Sequence, residues 1–404
     1  MAKKRKAAAE QPAHTYEDIN LIELPNGIRV VHLYIPYTRA AHCAYVFDAG
    51  SRDDPSDRQG LAHFIEHMIF KGTERRKTFH VLNYLESVGG ELNAYTTKEK
   101  TCIYASLAAE HAERAVDLLT DIAFHATFPE KEIVKERQVI SEEIDLYRDA
   151  PDEAIFEDFD LQLYPDHPLG APILGFKESI ADITRDDLKA YTDSRYTQGK
   201  VVFSIAGNVT IKQANRLIDK YLRPLTLPQG ELQRQAPTIG APSTHEIKIP
   251  TQQAHELIGG HAFHVHHEHY HAYLLLINLL GGPAMSSRLN LNIRERHGLT
   301  YSINSFYVPY LDSGMWGVYD GCEQKNLNRV RRLVQKELRM LRDKPLGSLQ
   351  LHQIKKLIVG GGVVSNQLQN KLQHIYTEVF ATYGMTETIT HIAVKKLNNF
   401  SSLR

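Results

Sequence analysis

Gly60-Leu61-Ala62-His63-Phe64-Ile65-Glu66-His67-Met68-Ile69-Phe70 is apolar nearly throughout, with two histidines and one glutamate set into it. The run reads as a buried helix. Residues i, i+3 and i+4 share a helix face, so His63 and His67 converge with Glu66 beside them. Two imidazoles suit zinc, and a third protein ligand would leave one position for water. A carboxylate next to that water can take its proton. A pattern this short also arises by chance, and a buried histidine is more often a satisfied core residue. The weight therefore falls on the rest of the chain.

A third ligand is expected on another helix. Pro129 to Asp149 fits, with Pro129 ahead of an acidic first turn. Glu136, Ile140, Glu143 and Tyr147 fall on one stripe of that helix, flanked by Ile133 and Ile144. Glu142 falls instead with Gln138, Asp145 and Asp149 on a polar stripe. Geometry selects Glu143 over Glu142 as the inward carboxylate, with Glu136 two turns earlier on the same side.

Other motifs accompany these helices. Gly50-Ser51-Arg52-Asp53-Asp54-Pro55 precedes the histidine helix and Phe70-Lys71-Gly72-Thr73 follows it. Gly89-Gly90-Glu91-Leu92-Asn93-Ala94-Tyr95-Thr96, His167-Pro168-Leu169-Gly170 and Ala206-Gly207-Asn208-Val209 come later. Together they resemble the pitrilysin and insulysin superfamily of metallopeptidases, whose zinc motif has this inverted H-x-x-E-H order. The nearest branch is that of mitochondrial processing peptidase and its bacterial relatives.

The resemblance implies one zinc ion per chain, held by His63, His67 and Glu143. It implies Glu66 as general base and Glu136 as a second active-site glutamate. Asn93, Ala94 and Tyr95 fall on the substrate-side strand, where an extended peptide would add to the sheet edge. Arg294 and Tyr301, seven apart and flanking Gly298-Leu299, match an arginine and tyrosine that reach the active site. Such donors suit a carbonyl oxygen that becomes an oxyanion. The implied fold is α+β: two duplicated domains, each a mostly antiparallel sheet covered by helices. The implied working unit is a clamshell chamber built from four such domains. With two domains per chain, a homodimer sharing its active sites is expected. Residues 395–404 lack the closing helix of the family pattern, and the match weakens from Gly360.

Composition sets further bounds. The chain has 404 residues, 42% of them hydrophobic, and a net charge of −1. The length suits two domains, and the charge gives no reason to invoke nucleic acid or a membrane surface. Cys43, Cys102 and Cys322 are too few and too scattered for a disulfide framework. They read as buried thiols in a reducing compartment, and the expected location is cytoplasmic. The basic start, Met1 to Pro12, has no apolar segment behind it.

The expected organisation is a disordered tail at 1–15, a zinc domain at 16–226, a linker at 227–243 and a second domain at 244–404. Strands are expected at 21–31 around an Asn26-Gly27 turn, at 44–49, up to 105, at 200–205 and at 246–249. Later strands are expected at 301–307 and 314–319. Helices are expected at 78–88, 110–125, 186–191 (capped by Thr184), 273–280 and 327–341. His267-Glu268-His269-Tyr270-His271 formally matches H-E-x-x-H. It joins a strand to a helix start, where its histidines need not share a face, and it reads as a solvated loop.

The function expected is a zinc endopeptidase acting on extended peptides. A non-catalytic scaffold of the same family would show an incomplete zinc motif. A non-peptide zinc enzyme on the fold of the autoinducer-synthesising lyases would resemble a single domain.

Overall fold

The computed structural model of the protein describes residues 19–347 except 198–199, 228–229, 231–232 and 239, together with 356–359, 378–383 and 393–396. The expected disordered tail at 1–15 and most of the stretch from Gly360, including 397–404, lie outside the described residues.

The first half opens with β1 (Ile19–Glu23) and β2 (Arg29–Tyr34), joined by the Asn26-Gly27 turn with Gly27 at φ +87°. β3 (Ala40–Phe47) alternates buried with half-buried residues along its length. It starts four residues before the expected strand and ends two before its end, because Ala40 and Ala41 carry little strand propensity of their own. There follow α1 (Leu61–Met68), α2 (Thr78–Glu86), β4 (Glu91–Thr96), β5 (Thr101–Ala108), α3 (Ala112–Phe124) and α4 (Glu130–Asp149). Then come α5 (Pro151–Leu163), α6 (Lys177–Ala181), α7 (Arg185–Tyr191), β6 (Val201–Gly207) and α8 (Ile211–Leu217). Thr184 caps α7 through the Asp187 N–H, as expected. Helices α5, α6 and α8 have no counterpart in the sequence reading.

The six strands form one sheet in the order β1-β2-β6-β3-β5-β4. β2 runs parallel to β6, while the β6–β3, β3–β5 and β5–β4 pairs are antiparallel. One face is buried under helices. There Tyr45 packs on Phe203 at 4.7 Å between ring centroids, and Phe47 stacks on Tyr196 at 4.0 Å. Burying each such side chain contributes roughly 1.5–3 kcal/mol. β4 is left as an edge strand beside α1.

The second half holds β7 (Ala254–His261), α9 (Tyr270–Gly281), β8 (Thr300–Pro309), β9 (Gly314–Cys322) and α10 (Leu327–Asp343). Its strands make an antiparallel sheet in the order β7-β9-β8. The strand expected at Glu246–Ile249 is absent. Residues 240–253 carry no regular structure, and Ile247 and Ile249 are exposed. Their alternation suits a strand, but among the described residues no strand lies alongside to take their hydrogen bonds. A separate compact unit holds β10 (Lys356–Val359), β11 (Glu378–Tyr383) and β12 (Ala393–Lys396), with β10 parallel and β12 antiparallel to β11.

The two halves meet through α5 and through two arginines. Phe156 on α5 packs at 5.3 Å from Phe306 and 5.5 Å from Tyr319. Arg52 is buried and binds Glu99 and Asp312 at 2.6 Å each, and donates to the Gln235 carbonyl at 2.6 Å. Arg234, in the expected linker, pairs with Asp48 at 2.8 Å and Asp53 at 2.6 Å. These pairs clamp Arg234 to the first half. Cys43, Cys102 and Cys322 are free and buried. No helix among the described residues is long and apolar enough to cross a membrane.

The second sheet carries a titrating group. Asp320 on β9 is fully buried, opposite Glu256 on β7. Burial first, then the Glu256 charge, pushes its carboxyl up to about 7, against the pull of the Cys322 thiol and of Arg331, which pairs with Glu256. A folded-state value above the unfolded one favours the protonated form. This contribution to stability is complete below the unfolded value and is lost as pH rises through about 7. Asp320→Asn should therefore raise stability at pH 8 by roughly 1–4 kcal/mol and flatten its pH dependence. Thermal unfolding of both proteins from pH 4 to 8 checks this. Parallel curves would contradict it.

Candidate metal centre

The histidine helix starts at Gly60, which takes φ +93° and would bring a Cβ within 2.4 Å of the Leu174 carbonyl oxygen. Only glycine meets both conditions. The first turn of α1 is capped from outside the helix. The buried Asp54 carboxylate accepts from the N–H groups of Gly60 at 2.9 Å and Ala62 at 3.0 Å. These donors would otherwise have no partner. Burial raises the Asp54 carboxyl well above its ordinary value, and the backbone donors oppose that shift. Leu61, Phe64, Ile65 and Met68 fix the helix in the core and leave His63, Glu66 and His67 on the other side.

The His63 and His67 rings lie 4.8 Å apart between centroids. Glu143 of α4 reaches them both: its Oε2 is 3.8 Å from His63 Nε2 and 3.4 Å from His67 Nε2. The three donor atoms lie within 4.8 Å of one another. Ligand atoms about 2.0–2.1 Å from a tetrahedral zinc sit about 3.3 Å from each other, so this donor set fits the ion in type and spacing. Burial lowers His63 to about 4, with His67 adding to the effect and Glu143 opposing it, so the ring is neutral at neutral pH. His67 is also depressed by burial, but its hydrogen bonds to Glu143 and Glu136 outweigh this and raise it. The hydrogen bond to His67 is the main reason Glu143 is lowered. His63 Nδ1 is buried with no hydrogen-bond partner.

Glu142 is exposed, and among the described residues it bonds only to Gln138, at 3.3 Å. Glu136 is buried, with Oε2 3.1 Å from His67 Nδ1 and Oε1 2.6 Å from Lys71 Nζ. Glu66 lies against Thr96 at the end of β4. Burial raises its carboxyl, with Thr96 and His67 pulling it down. The edge strand β4 thus runs up to the cluster. On it Asn93 and Tyr95 are exposed and Ala94 is buried, and the Ala94 N–H donates to the Asn93 side chain at 2.8 Å.

Arg294 and Tyr301 belong to the second half of the chain. Arg294 sits in a π-helical turn at Asn290–Glu295, and Tyr301 is 81% exposed at the start of β8. Among the described residues no hydrogen bond or ion pair joins either to His63, Glu66, His67, Glu136 or Glu143. The His267–His271 stretch gathers no metal site: His63, His67 and Glu143 are the only such group among the described residues. The His267 ring stacks on Phe263 at 3.9 Å, and its Nδ1 accepts from the His269 N–H.

Sequence reasoning missed three members of the site. Asp54 gave no signal as a cap, since its partners lie six and eight residues on. Thr96 meets Glu66 only through the packing of β4 on α1. Lys71 did leave a trace, as a lone charge in Ile69-Phe70-Lys71-Gly72.

By sequence the chain matches the family described as Insulinase (Peptidase family M16) over residues 29–177, and the Peptidase M16 inactive domain over 182–358. It is 36% identical to the uncharacterized zinc protease YmxG of Bacillus subtilis, over 85% of this chain and 84% of that one. It is 32% identical to an uncharacterized zinc protease of Mycobacterium leprae, over 95% of this chain and 87% of that one. In fold it is similar to a peptidase M16 inactive domain from Pseudomonas fluorescens, with a TM-score of 0.79 at 20% identity and coverage of 83% and 82%. A protease from Helicobacter pylori is similar too, with a TM-score of 0.74 at 22% identity and 83% of each chain covered.

Proposed function

We propose, from the premise that this chain belongs to the insulinase family of peptidases, family M16, that it is a zinc-dependent endopeptidase acting on extended peptides or unfolded segments. The observation that carries this reading is the three-donor cluster with Glu66 beside it and an open strand edge adjoining. The chemistry that zinc supplies at such a site is polarisation of the scissile carbonyl and a lowered pKa for water. His63, His67 and Glu143 would hold the ion. Glu66 accepts a proton from the attacking water and delivers it to the leaving amine. The substrate adds to the edge of β4 by backbone hydrogen bonds, replacing Asn93 at the Ala94 N–H. Tyr95, half-exposed, flanks it.

The oxyanion needs donors that the cluster itself lacks. Arg294 and Tyr301 supply them from a second copy of the chain. The exposure of Tyr301 on an edge strand, with no hydrogen bond or ion pair among the described residues tying it to the cluster of its own chain, supports this arrangement. A closed two-fold dimer satisfies both copies at once. Three buried free thiols suit a reducing compartment such as the cytoplasm.

A quenched, unfolded peptide should be cleaved by the zinc-loaded protein, not after chelation, and again after zinc is restored. No cleavage of any unfolded peptide would overturn the enzymatic reading. Mixing Glu66→Gln with the double variant Arg294→Ala/Tyr301→Phe should restore activity toward half the parent value in mixed dimers. No recovery despite subunit exchange would overturn the shared site alone.

A further inference from the structure

We propose that Lys71 is a positioning residue for the metal site, acting on His67 through Glu136. The inference rests on the zinc peptidase reading. Lys71 Nζ lies 2.6 Å from Glu136 Oε1, and Glu136 Oε2 lies 3.1 Å from His67 Nδ1. The three form one continuous line of contacts ending at the ring whose Nε2 faces Glu143.

Lys71 reaches Glu136 because the chain changes its winding. α1 ends at Met68 and tightens into a 3₁₀ turn over Ile69–Lys71. Gly72 then turns away at φ +132° and bridges to Lys77. The Lys71 carbonyl accepts from Thr78 Oγ1 at 2.7 Å, which pins its backbone to the start of α2. The Lys71 backbone is held, and its ammonium is directed at the buried Glu136.

The electrostatics require such a group. A histidine that gives Nε2 to a metal is neutral and offers Nδ1–H to its supporting carboxylate. For Glu136, which is 7% exposed, that is a neutral donor only. A buried carboxylate without a cation is costly and leaves its site when it can rotate to water. The Lys71 ammonium offsets that charge and holds Oε2 on the imidazole. The ring is then locked in the rotation that aims Nε2 at the metal, and the carboxylate strengthens it as a ligand.

The test is zinc affinity, measured by competition with a chelating indicator on the full chain. Lys71→Met should weaken zinc binding roughly 10–100-fold, and it should lower the metal-free melting temperature as well, because Glu136 loses its cation. Lys71→Arg should recover most of the loss, because it restores the charge. In the Glu136→Gln background Lys71→Met should cost less than threefold further, since the effect passes through Glu136. If Lys71→Met fails to fold, Lys71→Arg against Lys71→Gln gives the same comparison between charged and neutral. Parent-like zinc affinity in every neutral variant, or full additivity with Glu136→Gln, would overturn the relay alone. A parent that binds no zinc would overturn both the relay and the peptidase reading. A parent that binds zinc but cleaves no peptide would overturn only the peptidase reading, and the affinity comparison would still decide the relay.

Discussion

Glu66→Gln should lose about 10²–10⁴-fold in kcat/KM while keeping its fold and its zinc. Glutamine has the shape of the glutamate and retains polar contact with Thr96. It cannot accept a proton from water. Burial already raises the Glu66 carboxyl, so a neutral group at that position carries no desolvation penalty of its own. Peptide turnover, metal analysis and thermal unfolding on one preparation check the three expectations. Undiminished turnover, or loss of stoichiometric zinc, would contradict the role.

Glu143→Gln should remove zinc, and Glu142→Gln should leave it in place. The two residues are neighbours in sequence with opposite surroundings. Glu143 Oε2 lies within 3.8 Å of both histidine Nε2 atoms. An amide carries no charge to offer the ion there, so the affinity loss should exceed the roughly 10–100-fold that follows loss of an outer partner. Glu142 is exposed, and among the described residues it hydrogen-bonds only to Gln138. Changing it should move stability by less than about 0.5 kcal/mol. Zinc per chain after dialysis separates the variants. Retention in Glu143→Gln with loss in Glu142→Gln would reverse the assignment.

The contrast shows what the sequence carries. Helical periodicity is local, so the facing of His63 to His67 and the choice of Glu143 over Glu142 were legible from spacing alone. The same holds for the strands around Gly27 and the cap at Thr184. Contacts that depend on tertiary packing were hidden. Phe156 and Phe159 sit at helical spacing in a largely acidic segment. Their partners Phe306 and Tyr319 are about 150 residues away, so local pattern carries no mark of α5. Ile247 and Ile249 misled in the opposite direction, because alternation says nothing of whether a neighbouring strand exists. Lys71 was visible as a charge out of place, but its target was not, since its reach depends on the turn at Gly72.

The arginine clasp has a consequence for how the chain is made. Asp48 and Asp53 lie in the first half, and their arginine lies 181 to 186 residues later. Arg52 has a partner, Asp312, that is 260 residues away. During synthesis from the N-terminus, the zinc helix and its sheet can assemble well before either pairing is possible. Until then, the segment just ahead of α1 carries a carboxylate, Asp53, and a guanidinium, Arg52, destined for burial with part of their counter-charge still unmade. The metal-binding half is therefore finished only when residues it does not contain arrive. Its last ordering step coincides with the docking of the other half.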